Sequence, residues 1–163
     1  MNDIRKQVQL HPSMQMPRTR TIILSTIALA IAIQLAPIDH DNPPATASLT
    51  APAPVASILR RACYDCHSHE TTWPWYSYIA PVSWLVARDV HEGRRHLDFS
   101  TWADYSSALR LKKLAGISTM VQEGEMPPWF YLPMHANARL SPDDVSELAT
   151  WADSSTGEEP APR

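Results

Sequence analysis

The most constraining feature of this 163-residue sequence is the pentapeptide Cys63-Tyr64-Asp65-Cys66-His67, which contains its only two cysteines. A disulfide between residues three positions apart would restrain almost nothing of the unfolded chain, so a fold-stabilising bridge is disfavoured. In a C-x-x-C-H sequence the two thiols can add to the vinyl groups of haem, while the adjacent histidine ligates the iron. The motif predicts one haem c, attached by two thioethers at Cys63 and Cys66, with His67 as the proximal ligand.

Two other kinds of site use a similar cysteine spacing. A zinc site would need two further ligands, and the chain has no second cysteine pair. A thioredoxin-like site belongs on a strand-to-helix turn, whereas no alternating or β-branched strand pattern flanks this motif. The sequence therefore favours covalent haem over zinc and over thiol redox chemistry.

An apolar segment with a basic N-terminal flank indicates export. Residues 21–36 carry no charge, and Arg18 and Arg20 precede them, so residues 1–20 are predicted to form a basic cytoplasmic head. The segment is short for a transmembrane anchor, which needs about 20 residues, and within reach of a signal-peptide apolar region. We expect a retained anchor in the inner membrane, with the rest of the chain on the periplasmic side. The alternatives are a cleaved signal with an A-x-A site at residues 45–47, which leaves a soluble periplasmic protein, and a buried core helix.

The remaining sequence divides into three parts. Residues 37–54 are rich in Pro, Ala and Thr and predict an extended, stiff spacer. Residues 55–155 are the predicted haem-binding domain, and residues 156–163 are a predicted disordered tail. Beyond position 36 there are 10 basic and 16 acidic residues, a balance that disfavours nucleic acid as a partner and suits a basic redox partner.

Helical patterns begin and end the predicted domain. The first covers residues 55–62, with Val55, Ile58, Leu59 and Ala62 on one side. The last begins at Ser141-Pro142-Asp143 and carries Val145, Leu148, Ala149 and Trp151. The predicted fold class is all-α, a cytochrome c-like mono-haem domain in which these two helices cross, preceded by an N-terminal anchor or signal helix.

Three further helices are predicted between them. Pro81 opens one whose apolar side is formed by Val82, Leu85, Val86 and Val90 and whose end is marked by Gly93. Ser100 is predicted to cap a helix that begins near Thr101. Another runs from about residue 111 to Gly124.

Methionine or histidine usually occupies the sixth position of the iron in electron-transfer cytochromes. Met126 is the favoured candidate, because Pro127 and Pro128 after it force an extended loop that can present a thioether. His135 is the main competitor, and Met120 is expected to be a core residue. The remaining histidine candidates are His40, His69, His91 and His96, with His69 too near His67 to reach the opposite face.

Aromatic and basic side chains near the motif supply further candidate haem contacts. Trp73 and Trp75 are predicted to pack on the porphyrin or to bond a propionate, together with Trp84, Tyr76 and Tyr78. The candidate propionate partners are Arg88, Arg94 and Arg95.

Several ordered blocks resemble a bacterial haem-binding domain family. They read CYDCHS at 63–68, TTWPWY at 71–76, IAPVSWLV at 79–86, EGR at 92–94 and FSTW at 99–102. Further matches lie at 42–44, 124–128, 131–132, 135 and 140–141, so the resemblance spans residues 34–152. It implies one covalent haem, export, a retained anchor and a redox partner such as another cytochrome or a di-haem peroxidase. His69 departs from the asparagine more common there, and we expect it to face solvent.

These observations together predict a membrane-tethered periplasmic electron carrier that is not itself an enzyme. The alternative is a haem enzyme or a sensor of peroxide or a diatomic gas, in which no protein group fills the sixth position. The choice between the two depends on whether Met126 ligates the iron.

Overall fold

A computed structural model describes residues 18–155 and shows an all-helical protein, which confirms the predicted all-α class. The α-helices are α1 Arg18–Gln34, α2 Ala53–Ala62, α3 Tyr64–His67, α4 Val82–His96, α5 Ser107–Gln122 and α6 Pro142–Ser155. Shorter 3-10 turns cover Trp75–Tyr78, Phe99–Asp104 and Ala136–Ala138. Most of the predicted basic head and the predicted tail at 156–163 lie outside the described residues.

The chain divides into two compact units with a boundary between Pro37 and Ile38. The described part of the first unit is α1 and a short extension, and α1 buries none of its residues. Its leucine and isoleucine side chains are largely exposed, including Ile22 and Leu29. Between residues 18 and 155, no helix combines the length and the apolar character needed to cross a membrane.

The second unit is built on the predicted first and last helices of the domain. All four predicted apolar residues of α2 are buried, and α6 buries Leu148, Ala149 and Ala152. The two helices are in contact, and α5 packs against α6. A salt bridge from Arg61 of α2 to Asp144 of α6, 2.6 Å long, joins the same pair. The sequence patterns at both ends of the domain were therefore interpreted correctly.

The prediction for α4 was wrong in two respects. Val90 is buried as predicted, but Val82 and Leu85, which were also predicted to face the core, are exposed, while Ser83 and Ala87 are buried. Gly93 does not end the helix, which continues to His96. The buried side of α4 is formed largely by small residues, and at Gly93 the helix backbone lies close to that of Cys66, whereas its larger apolar side chains are outside.

Two predicted helix starts also differ from the structure. Ser100 is not the N-cap of the helical turn that follows it. The N-cap of the 3-10 turn Phe99–Asp104 is Asp98, whose carboxylate accepts a hydrogen bond from the Ser100 N–H. Helix α5 starts earlier than predicted, because the Ser106 hydroxyl accepts from the Leu109 N–H. Its end was closer to the prediction: the helix stops at Gln122, and Gly124 adopts a left-handed φ of 71°.

Residues 38–50, which we call the strap, lie within the predicted spacer and are docked on the second unit. The Ala47 and Leu49 N–H groups donate to the carbonyls of Ser100 and Phe99, and Leu49 packs against the core. His40 stacks on Tyr78 with a centroid distance of 4.4 Å. The strap therefore belongs to the folded unit that begins at Ile38.

Arg94 of α4 connects the strap to the segment that follows the cysteine motif. Its guanidinium donates to the carbonyl of Ser68 at 2.8 Å and to the hydroxyl of Thr71 at 2.9 Å. It also donates to the carbonyl of Asp41 at 2.9 Å and to the side-chain oxygen of Asn42 at 2.8 Å. One fixed, planar set of donors thus holds two chain segments in place.

Candidate functional site

The Cys63-to-His67 motif forms one tight helical turn directly after α2. The N–H of Cys63 donates to the Leu59 carbonyl and so ends α2, while the Cys63 carbonyl accepts from the His67 N–H at 2.9 Å. In a helical turn, residues separated by three and four positions share a face. Cys63, Cys66 and His67 have that spacing, so the turn presents both sulfurs and the imidazole toward the same side.

The His67 ring is oriented by two backbone carbonyls. Its Nδ1 lies 3.0 Å from the carbonyl oxygen of Gly93 and 3.0 Å from that of Leu97. Carbonyl oxygens only accept, so Nδ1 carries the proton and Nε2 keeps its lone pair. Burial lowers the pKa of His67, although both hydrogen bonds oppose that shift, and the neutral ring is favoured. The side chain is therefore arranged to offer Nε2 to a metal.

Gly93 allows α4 to approach the motif. A Cβ atom placed on Gly93 would lie 2.3 Å from the Cys66 carbonyl oxygen and 3.0 Å from the Cys66 Cβ. Both distances are far shorter than an ordinary van der Waals contact. Glycine is required here by the closeness of two backbones, and its carbonyl can consequently reach the His67 ring.

The two cysteines are half-buried free thiols. Burial, as the largest cause, raises the pKa of Cys63 to about 12 and that of Cys66 to about 12. Both are therefore protonated at neutral pH, whereas metal binding and thiol exchange use the thiolate. Within residues 18–155, no three His, Cys, Asp or Glu side chains converge as a metal-binding group. The protonation state of the pair differs from that of a reactive dithiol.

Met126 follows the end of α5, as predicted, in a loop whose backbone is tied to that helix. The N–H groups of Glu125 and Met126 both donate to the Met120 carbonyl. Met126 is partly exposed and lines a small cavity with Val121, Pro127, Leu132 and Leu140, among others. Met120 is also exposed, which contradicts its predicted place in the core.

The loop of residues 126–135 contacts the motif through Tyr131. Its hydroxyl donates to the Asp65 carboxylate at 2.6 Å. Burial, followed by this hydrogen bond, raises the pKa of Tyr131, so the phenol stays protonated and remains a donor. The loop that carries both candidate sixth ligands is thereby connected to the turn that carries His67.

His135 belongs to a small network around Tyr131. The two rings are stacked with a centroid distance of 3.9 Å, and the His135 Nδ1 lies 3.2 Å from the Tyr131 carbonyl oxygen. The Tyr76 hydroxyl lies 3.5 Å from the same nitrogen. His135 is therefore held by its neighbours within the loop and remains a candidate ligand through Nε2.

The two tryptophans Trp73 and Trp75 of the predicted aromatic cluster lie in different surroundings. Trp73 packs edge-on against His40 of the strap at 4.7 Å, and its indole nitrogen is buried without a hydrogen-bond partner in the described part of the chain. Trp75 is exposed and contacts Tyr76 at 5.8 Å. Trp75 is therefore free to cover a ligand, whereas Trp73 supports the strap.

The three arginines predicted as propionate partners have different contacts. Arg94 is engaged with the strap and the segment after the motif, as described above. Arg95 pairs with Glu92, and Arg88 is exposed. Arg94 thus has a structural role that the sequence did not indicate.

His69 does not face solvent, so that expectation was wrong. Its side chain is 13% exposed, and Nε2 lies 2.8 Å from the carboxylate of the buried Asp98. Its Nδ1 lies 3.3 Å from the Pro44 carbonyl of the strap. The ring fills the space between the strap and the start of the 3-10 turn at Phe99.

Large apolar side chains are exposed on the elements around the motif. The 3-10 turn at Trp75 contacts α4, α4 contacts α3, and Tyr131 contacts Asp65, so these surfaces adjoin the turn of residues 63–67. The exposed residues are Trp75, Tyr78, Ile79, Val82, Trp84, Leu85, Met126, Trp129, Phe130 and Met134. Exposed apolar surface of this extent is typical of a binding site, and a flat apolar ligand would cover it.

Comparison with known families identifies the chain. The sequence model described as a haem-binding domain matches residues 28–154. The chain belongs to this haem-binding domain family. No curated protein and no solved structure matches it. The protein is therefore a haem-binding protein, and haem is its cofactor.

The residues present fit a haem. The turn offers two thiols and an imidazole with a free Nε2 on one face, and apolar side chains adjoin it. Sequence reasoning found these donors but missed Asp65, Tyr131 and the packing role of Gly93. A glycine inside a helical pattern usually has a packing reason, which was the available signal for Gly93.

The contact between Gly93 and Cys66 predicts that replacing Gly93 by alanine changes the free energy of unfolding differently from the same replacement at Gly116. We expect Gly93→Ala to lower the free energy of unfolding by about 1–3 kcal/mol, because the added methyl group must separate α4 from the motif. Gly116→Ala is the matched control, since a Cβ on this α5 glycine meets nothing within 4 Å. That change should raise the free energy of unfolding by about 0.5–1 kcal/mol. Urea unfolding followed by circular dichroism measures both, and a Gly93→Ala protein as stable as Gly116→Ala would contradict the packing described.

Proposed function

We propose that this haem-binding protein is a c-type cytochrome that carries single electrons. The observation that carries the proposal is the attachment turn, in which two thiols and a His67 ring with a free Nε2 share one face. The spacing of the two cysteines suits two thioether bonds to one haem. A zinc site would need four converging ligands, and within residues 18–155 no three His, Cys, Asp or Glu side chains converge as a metal-binding group. The high pKa values of both thiols argue against a redox dithiol.

Each residue of the proposed site has a distinct role. Cys63 and Cys66 hold the haem covalently, and His67 ligates the iron from the proximal side. Met126 is proposed as the sixth ligand, with His135 as its competitor. The haem supplies a one-electron couple when bound. The polypeptide fixes the axial donors and surrounds the ligand with apolar side chains such as Trp75, which excludes water and influences the potential.

One observation supports a second candidate function. Met126 lines a cavity with Val121 and Leu140, which places it among residues of α5 and of the segment before α6. A methionine that stays in that cavity leaves the sixth position of the iron open. The protein would then be a haem enzyme or a sensor of peroxide or a diatomic gas.

The first prediction concerns covalent attachment. We expect haem to stay with the wild-type chain after denaturing electrophoresis, because thioethers survive unfolding. The double variant Cys63→Ala with Cys66→Ala should lose all haem stain, and either single variant should keep a reduced amount. Ser57→Ala, which removes an exposed hydroxyl on α2, is the control and should match the wild type. A wild-type chain that releases its haem on denaturation would disprove the c-type assignment.

The second prediction concerns the sixth ligand. A methionine-to-iron charge-transfer band at the red end of the oxidised spectrum should be present in the wild type and absent in Met126→Ala. Met134→Ala, which truncates an exposed methionine of the same loop, should keep the band. If the wild type lacks the band and its reduced form binds carbon monoxide without delay, the open-site alternative is favoured. Loss of a bis-histidine spectrum in His135→Ala would assign the position to histidine instead.

The third prediction concerns location. We propose that α1 directs export and holds the protein on the periplasmic side of the inner membrane, near a redox partner such as another cytochrome or a di-haem peroxidase. Its exposed apolar side chains and basic flank support this. Cell fractionation with mass analysis should find the full-length chain in the membrane fraction, whereas a shorter soluble periplasmic chain would indicate cleavage.

Charge reversal provides the control for export. Arg18→Glu with Arg20→Glu should reduce the amount of exported protein, because the positive flank is lost. Lys112→Glu, on the exposed side of α5, should leave export unchanged. Equal export of all three proteins would contradict a role for the basic flank.

A further inference from the structure

Asp65 lies between the two cysteines and receives hydrogen bonds from two separate segments. One carboxylate oxygen accepts from the Thr72 N–H at 2.9 Å, and the other accepts from the Tyr131 hydroxyl at 2.6 Å. A short hydrogen bond from a hydroxyl to a carboxylate is roughly twice as strong as one between neutral groups. The bond to Tyr131 joins residues that are 66 positions apart in the sequence.

Tyr131 is the centre of the loop that ends at His135. Its N–H donates to the Pro128 carbonyl, and its own carbonyl accepts from the Met134 N–H. Its ring stacks on His135 at 3.9 Å. A displacement of the Tyr131 side chain would therefore also displace the loop backbone before and after it.

Apart from the buried Pro127, the residues of the loop are at least partly exposed. Trp129 is 82% exposed, and Phe130 and Met134 are more than half exposed. Among residues 18–155, the side-chain hydrogen bond that joins this loop to the motif at 63–67 is the one between Tyr131 and Asp65. Segments with few buried contacts open at low free-energy cost, so a single strong bond has a large effect on such a loop.

We propose that the Asp65–Tyr131 hydrogen bond is a latch that keeps the 126–135 loop closed against the haem-attachment turn. The consequence for the iron rests on the proposed function, because it requires Met126 of the same loop to be the sixth ligand. Tyr131 and Asp65 are then positioning residues that determine how easily an external ligand replaces the methionine. The latch couples the proximal turn to the distal loop.

Two conservative variants of the haem-loaded protein test the latch. Tyr131→Phe keeps the ring that stacks on His135 and removes the hydroxyl, while Asp65→Asn keeps the shape and removes the charge. We expect amide hydrogen exchange at residues 129–135 to accelerate about tenfold or more in each, the effect of losing one charge-assisted hydrogen bond. Tyr105→Phe is the matched control, because it also removes one hydroxyl, which bonds the Asp98 N–H outside this loop.

The double variant checks that the two residues act through one bond. Asp65→Asn with Tyr131→Phe should accelerate exchange no more than either single change, since both remove the same interaction. Additive effects would overturn the latch, as would exchange equal to that of Tyr105→Phe in both single variants. Asp65→Asn alone suffices for the comparison if Tyr131→Phe does not fold.

A second readout separates the latch from the proposed ligation. Carbon monoxide binding to the reduced protein should become about tenfold faster or more in both single variants and should approach the rate of Met126→Ala. If exchange accelerates as expected but the wild type already binds carbon monoxide as fast as Met126→Ala, the latch stands and the methionine ligation fails. If carbon monoxide binding and exchange are both unchanged in the variants while the methionine band is present, the ligation stands and the latch fails.

Discussion

The close approach of α4 to the attachment turn is the interaction on which the rest of the site depends. Gly93 brings the backbone of α4 to the Cys66 carbonyl, and the carbonyls of Gly93 and Leu97 then reach the His67 ring. Both carbonyls lie at the C-terminal end of α4, where the helix dipole is negative. The Gly93 carbonyl also accepts from the Leu97 N–H, so the His67 ring shares that acceptor. The two hydrogen bonds and the negative helix end make Nε2 a better electron donor to a metal.

The buried side of α4 carries small residues, and its exposed side carries large ones. Ser83 and Ala87 are buried, and Gly93 allows the close approach to Cys66. The larger Val82 and Leu85 are exposed. In an ordinary helical domain this arrangement would leave apolar surface uncovered, whereas in a haem-binding protein that surface has a ligand to contact. Arg94, one residue after the glycine, fixes the strap from the opposite side.

Parts of this structure followed from periodicity and capping, and others did not. The buried faces of α2 and α6 were predictable because each packs against protein, so the apolar period of the sequence matches the core. The buried face of α4 was not, because small residues such as Ser83 and Ala87 are buried while the larger Val82 and Leu85 are exposed, so hydrophobicity does not mark the buried side. The spacing within the motif predicted that Cys63, Cys66 and His67 share one turn, and their use in haem attachment is our proposal. The Asp65–Tyr131 bond and the strap contacts of Arg94 join segments far apart in the sequence, and no local pattern encodes such pairs.

The two sides of the proposed site are held with very different strength, and this difference bears on function. The proximal side is fixed by a helical turn, two carbonyl contacts to His67 and the packing of Gly93, which together leave little freedom. The distal candidates lie on a loop whose long-range tie to the motif is a single side-chain hydrogen bond. Electron transfer requires both axial ligands to keep their positions while the iron changes its oxidation state. Binding of an external ligand requires one of the two axial ligands to dissociate from the iron. With Met126 as the sixth ligand, as we propose, the strength of that bond would decide whether the site works as a carrier or admits a small molecule.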